Sequence, residues 1–235
     1  MNSGNNYLIP VAIIAGFIIV AMVLLFTLGG SRAVQQAATT GQQAAAPAVD
    51  IKNLKTNNEP YIGSASAPVT MAVFFDYQCP YCKQLDLTVM PQIIANYVQT
   101  GKVKVVFKDF QFLGNDSIAG AEFGRAVWEA YPAQYGAWLT AMFNAQDEEG
   151  DKGFGNQATI VAMVKTQFPT MDTTKLVNLI STNKAKYDAE IDADRAEGAS
   201  YGIQGTPSII VGNTLLQGAQ TYQTVANLVD AQLKK

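Results

Sequence analysis

The chain's only two cysteines, Cys79 and Cys82, stand at C-x-x-C spacing just behind an apolar run, and no other feature limits the fold as much. In residues 70–75 every side chain except Ala72 is β-branched or large and apolar, which predicts a strand. Pro80 then suits the first turn of a helix, where a missing N–H costs nothing. The two sulfurs are therefore expected at a helix N-terminus. There the unpaired N–H groups and the positive end of the helix dipole stabilise a thiolate, the attacking form of cysteine. Cys79 is expected as the exposed nucleophile that forms a mixed disulfide, and Cys82 as the shielded resolver, with no cofactor required.

Two other uses of such a pair stay open, and each fits poorly. Structural zinc wants four Cys or His ligands, whereas this chain has no further Cys and no His. A purely structural disulfide across so short a loop would constrain the unfolded chain little. No metal site is expected.

With 49% hydrophobic residues, a net charge of −3 and no Lys/Arg cluster, the chain lacks the electrostatic footprint of a nucleic-acid binder. Behind a short tail, 1–6, residues 7–28 run for 22 positions without a charge, enough to span a bilayer core of about 30 Å. One transmembrane anchor is expected. A cleaved signal peptide fits less well, because its apolar region is shorter and follows basic residues, and 1–6 has none. Arg32 alone leans toward a cytoplasmic C-terminus, but long domains translocate largely regardless of charge. The dithiol chemistry places the domain on the extracytoplasmic side of the cell membrane. Residues 31–49, rich in Ala, Gln, Thr and Gly, are expected to form a flexible tether.

One domain then fills 50–235, an α/β fold with a helical insertion at about 112–200. A helix is expected over 81–97 with a kink at Pro91, and a second strand over 103–107. Helical periodicity follows at 118–130, 132–145, 157–168, 173–182 and 184–201. Trp128 and Trp138 are expected to pack among these helices rather than line a groove. Asp147, Glu148, Glu149 and Asp151 lack the spacing of a calcium loop and suit a solvated connection. Strands at 208–211 and 214–217 meet through Gly212-Asn213, a hairpin signal, and a helix over 221–233 ends the chain. Pro207, at the start of that hairpin, is a candidate for a cis peptide bond.

Together these pieces resemble the DsbA-like thiol–disulfide oxidoreductases of the thioredoxin superfamily, in their membrane-anchored bacterial form, over roughly residues 60–235. The likeness rests on Gly63, Ala67-Pro68-Val69-Thr70, the stretch from Phe75 to Cys82, and Gly205-Thr206-Pro207 with the hairpin behind it. It implies a thioredoxin fold with an inserted helical domain, Pro80 and Tyr81 tuning Cys79, and Thr206 with cis Pro207 facing the cysteines to receive substrate. Asp76 and Lys108 become candidates for a titrating pair near the buried sulfur, against the plainer reading of a surface ion pair. Tyr81 is a departure, since the best-known members carry histidine there. The string C-P-Y-C is also typical of glutaredoxins, which are about half as long and have neither anchor nor insertion.

The function so implied is an oxidase that donates the Cys79–Cys82 disulfide to reduced secreted polypeptides and is reoxidised by a membrane partner of the DsbB or VKOR type. A tethered reductase or isomerase, and a non-catalytic peptide-binding holdase, are the alternatives. No dimerisation module precedes the domain, so a monomer is expected.

Overall fold

The computed structural model describes residues 49–147 and 153–235. The expected tail and anchor, nearly all of the tether, and Glu148, Glu149 and Asp151 lie outside these residues. No helix among the described residues is long and apolar enough to cross a membrane.

Strand β2 (Val69–Phe75) is the spine of the domain. Its side chains alternate, Met71, Val73 and Phe75 to one face and Ala72 and Phe74 to the other, and both faces are covered. That double burial is why the run is continuously apolar rather than alternating with polar residues. Around it lies a five-stranded sheet in the order β1-β3-β2-β4-β5. Its other members are β1 (Tyr61–Ile62), β3 (Val103–Asp109), β4 (Ser208–Val211) and β5 (Thr214–Gln217). Strands β2 and β3 run parallel, with Val69 opposite Val103 and Phe75 opposite Asp109. The remaining pairings are antiparallel.

A parallel pair needs a crossover, and the helix that follows Cys79 supplies it. It opens as α1 (Pro80–Gln84), widens to a π-helix over Leu85–Val89, narrows to α2 (Met90–Ile93) and widens again over Ile94–Val98. The expected kink at Pro91 is expressed as the first of these widenings. A proline ring presses on the carbonyl one turn earlier and offers it no N–H, and a wider turn ahead of the ring relieves both.

Between β3 and β4 come α3 (Asn115–Ala130), a 3-10 turn at Pro132–Gln134, α4 (Tyr135–Ala145), α5 (Gln157–Gln167) and α6 (Thr173–Ser200). The two helices expected at 173–182 and 184–201 are one helix of 28 residues. Asn183, at the supposed break, instead turns its amide to Glu129 and to Tyr187, at 3.4 Å each. No proline or glycine interrupts the turns on either side. The hairpin forms as expected, with Gly212 at φ 58°, a conformation that costs glycine little. The last helix, α7 (Tyr222–Leu233), is capped by the Thr221 side chain and buries Val225 and Val229. Strands Val103–Asp109 and Tyr61–Ile62 extend the sheet beyond the sequence expectation.

The main core covers the Met71–Val73–Phe75 face and continues into the insertion through Tyr77, Trp138 and Phe143. Trp138 is fully buried, 5.8 Å from Tyr77, while partly buried Trp128 packs edge-on against Tyr61 at 5.1 Å. A smaller core on the Ala72–Phe74 face takes in Phe110, Ile203 and Ile210. The C-terminal end of α6 lies over it so closely that a Cβ on Gly198 would stand 2.9 Å from the Phe110 ring.

Candidate active site

The site begins where β2 stops. Asp76 follows the strand, fully buried, and its carboxylate accepts from Gln78 N–H at 2.8 Å, Phe112 N–H at 2.8 Å, Leu113 N–H at 3.2 Å and the Ser117 hydroxyl. It thus ties the turn before Cys79 to the start of the insertion. Burial nonetheless pushes its pKa up, against the pull of those hydrogen bonds. Tyr77 is clamped by the insertion, edge-on to Phe75 at 4.8 Å and parallel to Phe143 at 6.4 Å. A Cβ on Gly120 would meet Tyr77 at 2.8 Å, so α3 approaches that closely only with glycine there.

Cys79 occupies the N-cap of α1, with φ −77° and ψ 120°, and Pro80 follows as the first helical residue. Its thiol donates to the Thr206 carbonyl at 3.3 Å. The Thr206–Pro207 peptide is cis. The Cys79 pKa falls from 9.0 to about 6. The Cys82 thiol is the largest cause, and Thr206 and the backbone N–H groups of Cys82 and Tyr81 add to it while burial opposes. Thr206 serves both protonation states: its carbonyl accepts from the thiol, and its hydroxyl, otherwise without a partner, favours the thiolate. Cys82 is pushed the other way, well above 9.0, by burial and by its neighbour Cys79. The two sulfurs stand unbridged, as a dithiol.

Two expectations need correction. Cys79 is not an exposed residue; at 4% exposure it is nearly as covered as Cys82 at 2%, because the segment carrying Thr206 folds over it. Asp76 and Lys108 are neither a pair at the sulfur nor a surface ion pair. Lys108 stands opposite Phe74 in the β2–β3 register, so it points to the face away from Phe75 and the main core. There, fully buried, it meets Glu59 at 3.1 Å, Glu197 at 3.1 Å and Asp194. Arg125 joins the same cluster through Glu59, Asp109 and Asp194. Tyr81 does act on Cys79, through its backbone N–H, while its ring is 60% exposed.

Residues of the insertion complete the site. Gln146, just past α4, donates to the carbonyls of Tyr77 at 2.8 Å and Cys79 at 3.1 Å, and its own carbonyl accepts from Lys83 at 2.7 Å. Gln78 reaches the Phe154 carbonyl at 3.1 Å. No local sequence pattern marks Gln146, which lies 67 residues beyond Cys79. Phe112, 48% exposed, leaves an apolar ring in solvent on the segment bound to Asp76.

Known proteins resemble this chain in sequence and fold. The family model described as Thioredoxin matches residues 55–231. A probable disulfide bond formation protein D of Bacillus anthracis is 27% identical over 174 residues, covering 74% of this chain and 78% of that protein. The crystal structure of oxidised BdbD from Bacillus subtilis superposes with a TM-score of 0.69 at 23% identity, over 80% of this chain and 99% of that one. The thiol–disulfide exchange protein alpha-DsbA2 of Wolbachia pipientis gives 0.65 at 27% identity, over 74% and 87%. The fold is thus a thioredoxin fold carrying a helical insertion. The chain belongs to the thioredoxin family, as a DsbA-like protein-disulfide oxidoreductase.

Proposed function

We propose that the protein is an oxidase that donates a Cys79–Cys82 disulfide to reduced extracytoplasmic polypeptides. A substrate thiolate attacks the Cys79 sulfur, a new S–S bond joins substrate to Cys79, and the Cys79–Cys82 bond breaks with its electron pair left on Cys82. A second substrate thiolate then displaces Cys79 as a thiolate and departs as the disulfide product. The observation that carries this reading is the seat of Cys79 at the N-cap of α1 with its thiol 3.3 Å from the Thr206 carbonyl; its pKa, brought down to about 6, makes it a good leaving group near neutral pH. The name of the Bacillus relatives, disulfide bond formation protein D, supports the oxidising direction.

Thr206 and Pro207, beside Cys79, are the surface offered to an extended substrate strand, and Pro80 and Tyr81 shape the helix end. Residues 7–28 anchor the monomeric domain outside the cell membrane, where a partner of the DsbB or VKOR type reoxidises the dithiol. Fractionation should keep the full-length chain with membranes; a mature form starting after Leu28 would make the segment a signal peptide instead.

The test of the cysteine roles is trapping. Cys79→Ser should abolish disulfide transfer to a reduced test protein, and in the reducing direction Cys82→Ser should accumulate mixed disulfides because the resolver is missing. Equal trapping by both variants would show the roles to be misassigned.

A further inference from the structure

The turn that carries Cys79 is held from two sides, and Asp76 accounts for one of them. On the other side stands Gln146, 5% exposed, whose amide donates to the Tyr77 and Cys79 carbonyls. Gln146 lies just past the end of α4, with ψ 130°, so no further helical turn fixes its backbone. Its N–H reaches the Phe143 carbonyl at 3.3 Å, just past the usual range of such bonds. The last carbonyls of a helix have no partner within it, and one covered this well must find a donor elsewhere or turn out to water.

That donor is Lys83, half-buried on α1. Its ammonium donates to the Gln146 carbonyl at 2.7 Å, a length typical of charge-assisted bonds, at the negative end of the α4 dipole. The main-chain N–H of the same residue donates to the Cys79 carbonyl at 3.1 Å. Three bonds therefore close a circuit: Lys83 N–H to the Cys79 carbonyl, Lys83 Nζ to the Gln146 carbonyl, and the Gln146 amide back to the Cys79 carbonyl. The Cys79 carbonyl belongs to the peptide that leads into Pro80, so holding it holds the angle at which Cys79 meets α1. The N–H groups of Tyr81 and Cys82 that favour the thiolate come from that same turn. A lysine that only solvated the helix surface would turn its ammonium to water, whereas this one places it on a carbonyl 63 residues away.

We propose that Lys83 is a positioning residue for the thiol–disulfide exchange: by holding the Gln146 carbonyl it keeps the Gln146 amide on the Cys79 carbonyl, and so keeps the Cys79 sulfur in line with the N–H groups of α1. This rests on the reading of Cys79 as the exchanging sulfur. Without the ammonium, the Gln146 carbonyl is left covered and unpaired, the segment after α4 relaxes toward water, and the amide leaves with it. The Cys79 thiolate then keeps fewer aligned donors, becomes a poorer leaving group, and makes the pair less oxidising.

The experiment alkylates the reduced full-length protein with iodoacetamide over a range of pH, reads Cys79 by mass spectrometry, and equilibrates the pair against glutathione. Wild-type alkylation should rise with pH and break at about 6. Lys83→Met should move that break upward by roughly one pH unit. At neutral pH this is about a fivefold loss of oxidising power, or about 20 mV at 29.6 mV per tenfold. Lys83→Arg, which keeps a charged donor of similar reach, should restore both. Gln146→Leu should match Lys83→Met, and the double variant should shift no further, since either change opens the circuit. A wild-type break in Lys83→Met, with or without a loss of stability, would reduce Lys83 to a structural staple and overturn the proposal. Shifts that add in the double variant would overturn it as well. Should the Met variant not fold, Lys83→Gln, which removes the charge and stays polar, is measured in its place with the same expectation. A wild type without a break near 6 would instead remove the reading of Cys79, and the proposal with it.

Discussion

At the scale of single residues, the contrast between the two sulfurs comes from what each touches, since both are covered. Cys79 receives hydrogen bonds from Cys82, from Thr206 and from two backbone N–H groups at the start of α1, and these outweigh its burial. Cys82, one turn on, is governed by burial. The linkage follows by sign. A thiol held at about 6 in the folded chain against 9.0 unfolded contributes stability above pH 9, and loses it as the pH falls through 6. Between pH 5 and pH 8 the reduced protein should therefore gain roughly 2–3 kcal/mol on the oxidised one, which has no thiol to titrate. Urea unfolding of both forms at the two pH values measures this; a constant offset would contradict it. Much of this was legible in the sequence, because C-x-x-C behind a strand with Pro80 next dictates the N-cap position. The burial of Cys79 was not, since Thr206 lies 127 residues away and no local pattern announces the contact.

At the scale of elements, four of the five strands and the hairpin followed from composition because each is short and its signal is local, while β1, two residues long, carries no such signal. The helix boundaries failed where tertiary contacts decide. Asn183 is a weak helix former that could break 173–200 in isolation, yet α3 packs along α6 and supplies Glu129 as its partner. Lys108 and Arg125 illustrate the same limit. Read along the chain Lys108 suits a surface ion pair and nothing marks Arg125, but in the fold they pair with Glu59, Asp109, Asp194 and Glu197 where β3, α3 and α6 meet. Removing one partner from such a cluster strands buried carboxylates. Lys108→Met should cost about 3–5 kcal/mol in chemical denaturation. Its ammonium faces away from the sulfurs, so the Cys79 thiolate titration should stay where it is. A displaced titration would return Lys108 to the site.

At the scale of the whole molecule, the insertion completes the site, through Gln146 on the Cys79 carbonyl, Tyr77 beneath α3, and Asp76 bound to Phe112, Leu113 and Ser117. The Cys79 pKa that results, about 6, lies between the roughly 3.5 of DsbA and the about 7 of thioredoxin. Because stabilising the reduced thiolate is what makes a dithiol pair oxidising, the pair should fall between those proteins in potential as well. The most direct test is the reduction potential of the Cys79–Cys82 pair, equilibrated against glutathione and read from the fraction oxidised. An oxidase of this kind should lie between the about −120 mV of DsbA and the about −230 mV of the more reducing glutaredoxins. A value near the roughly −270 mV of thioredoxin would contradict the oxidase reading and make the protein a reductase.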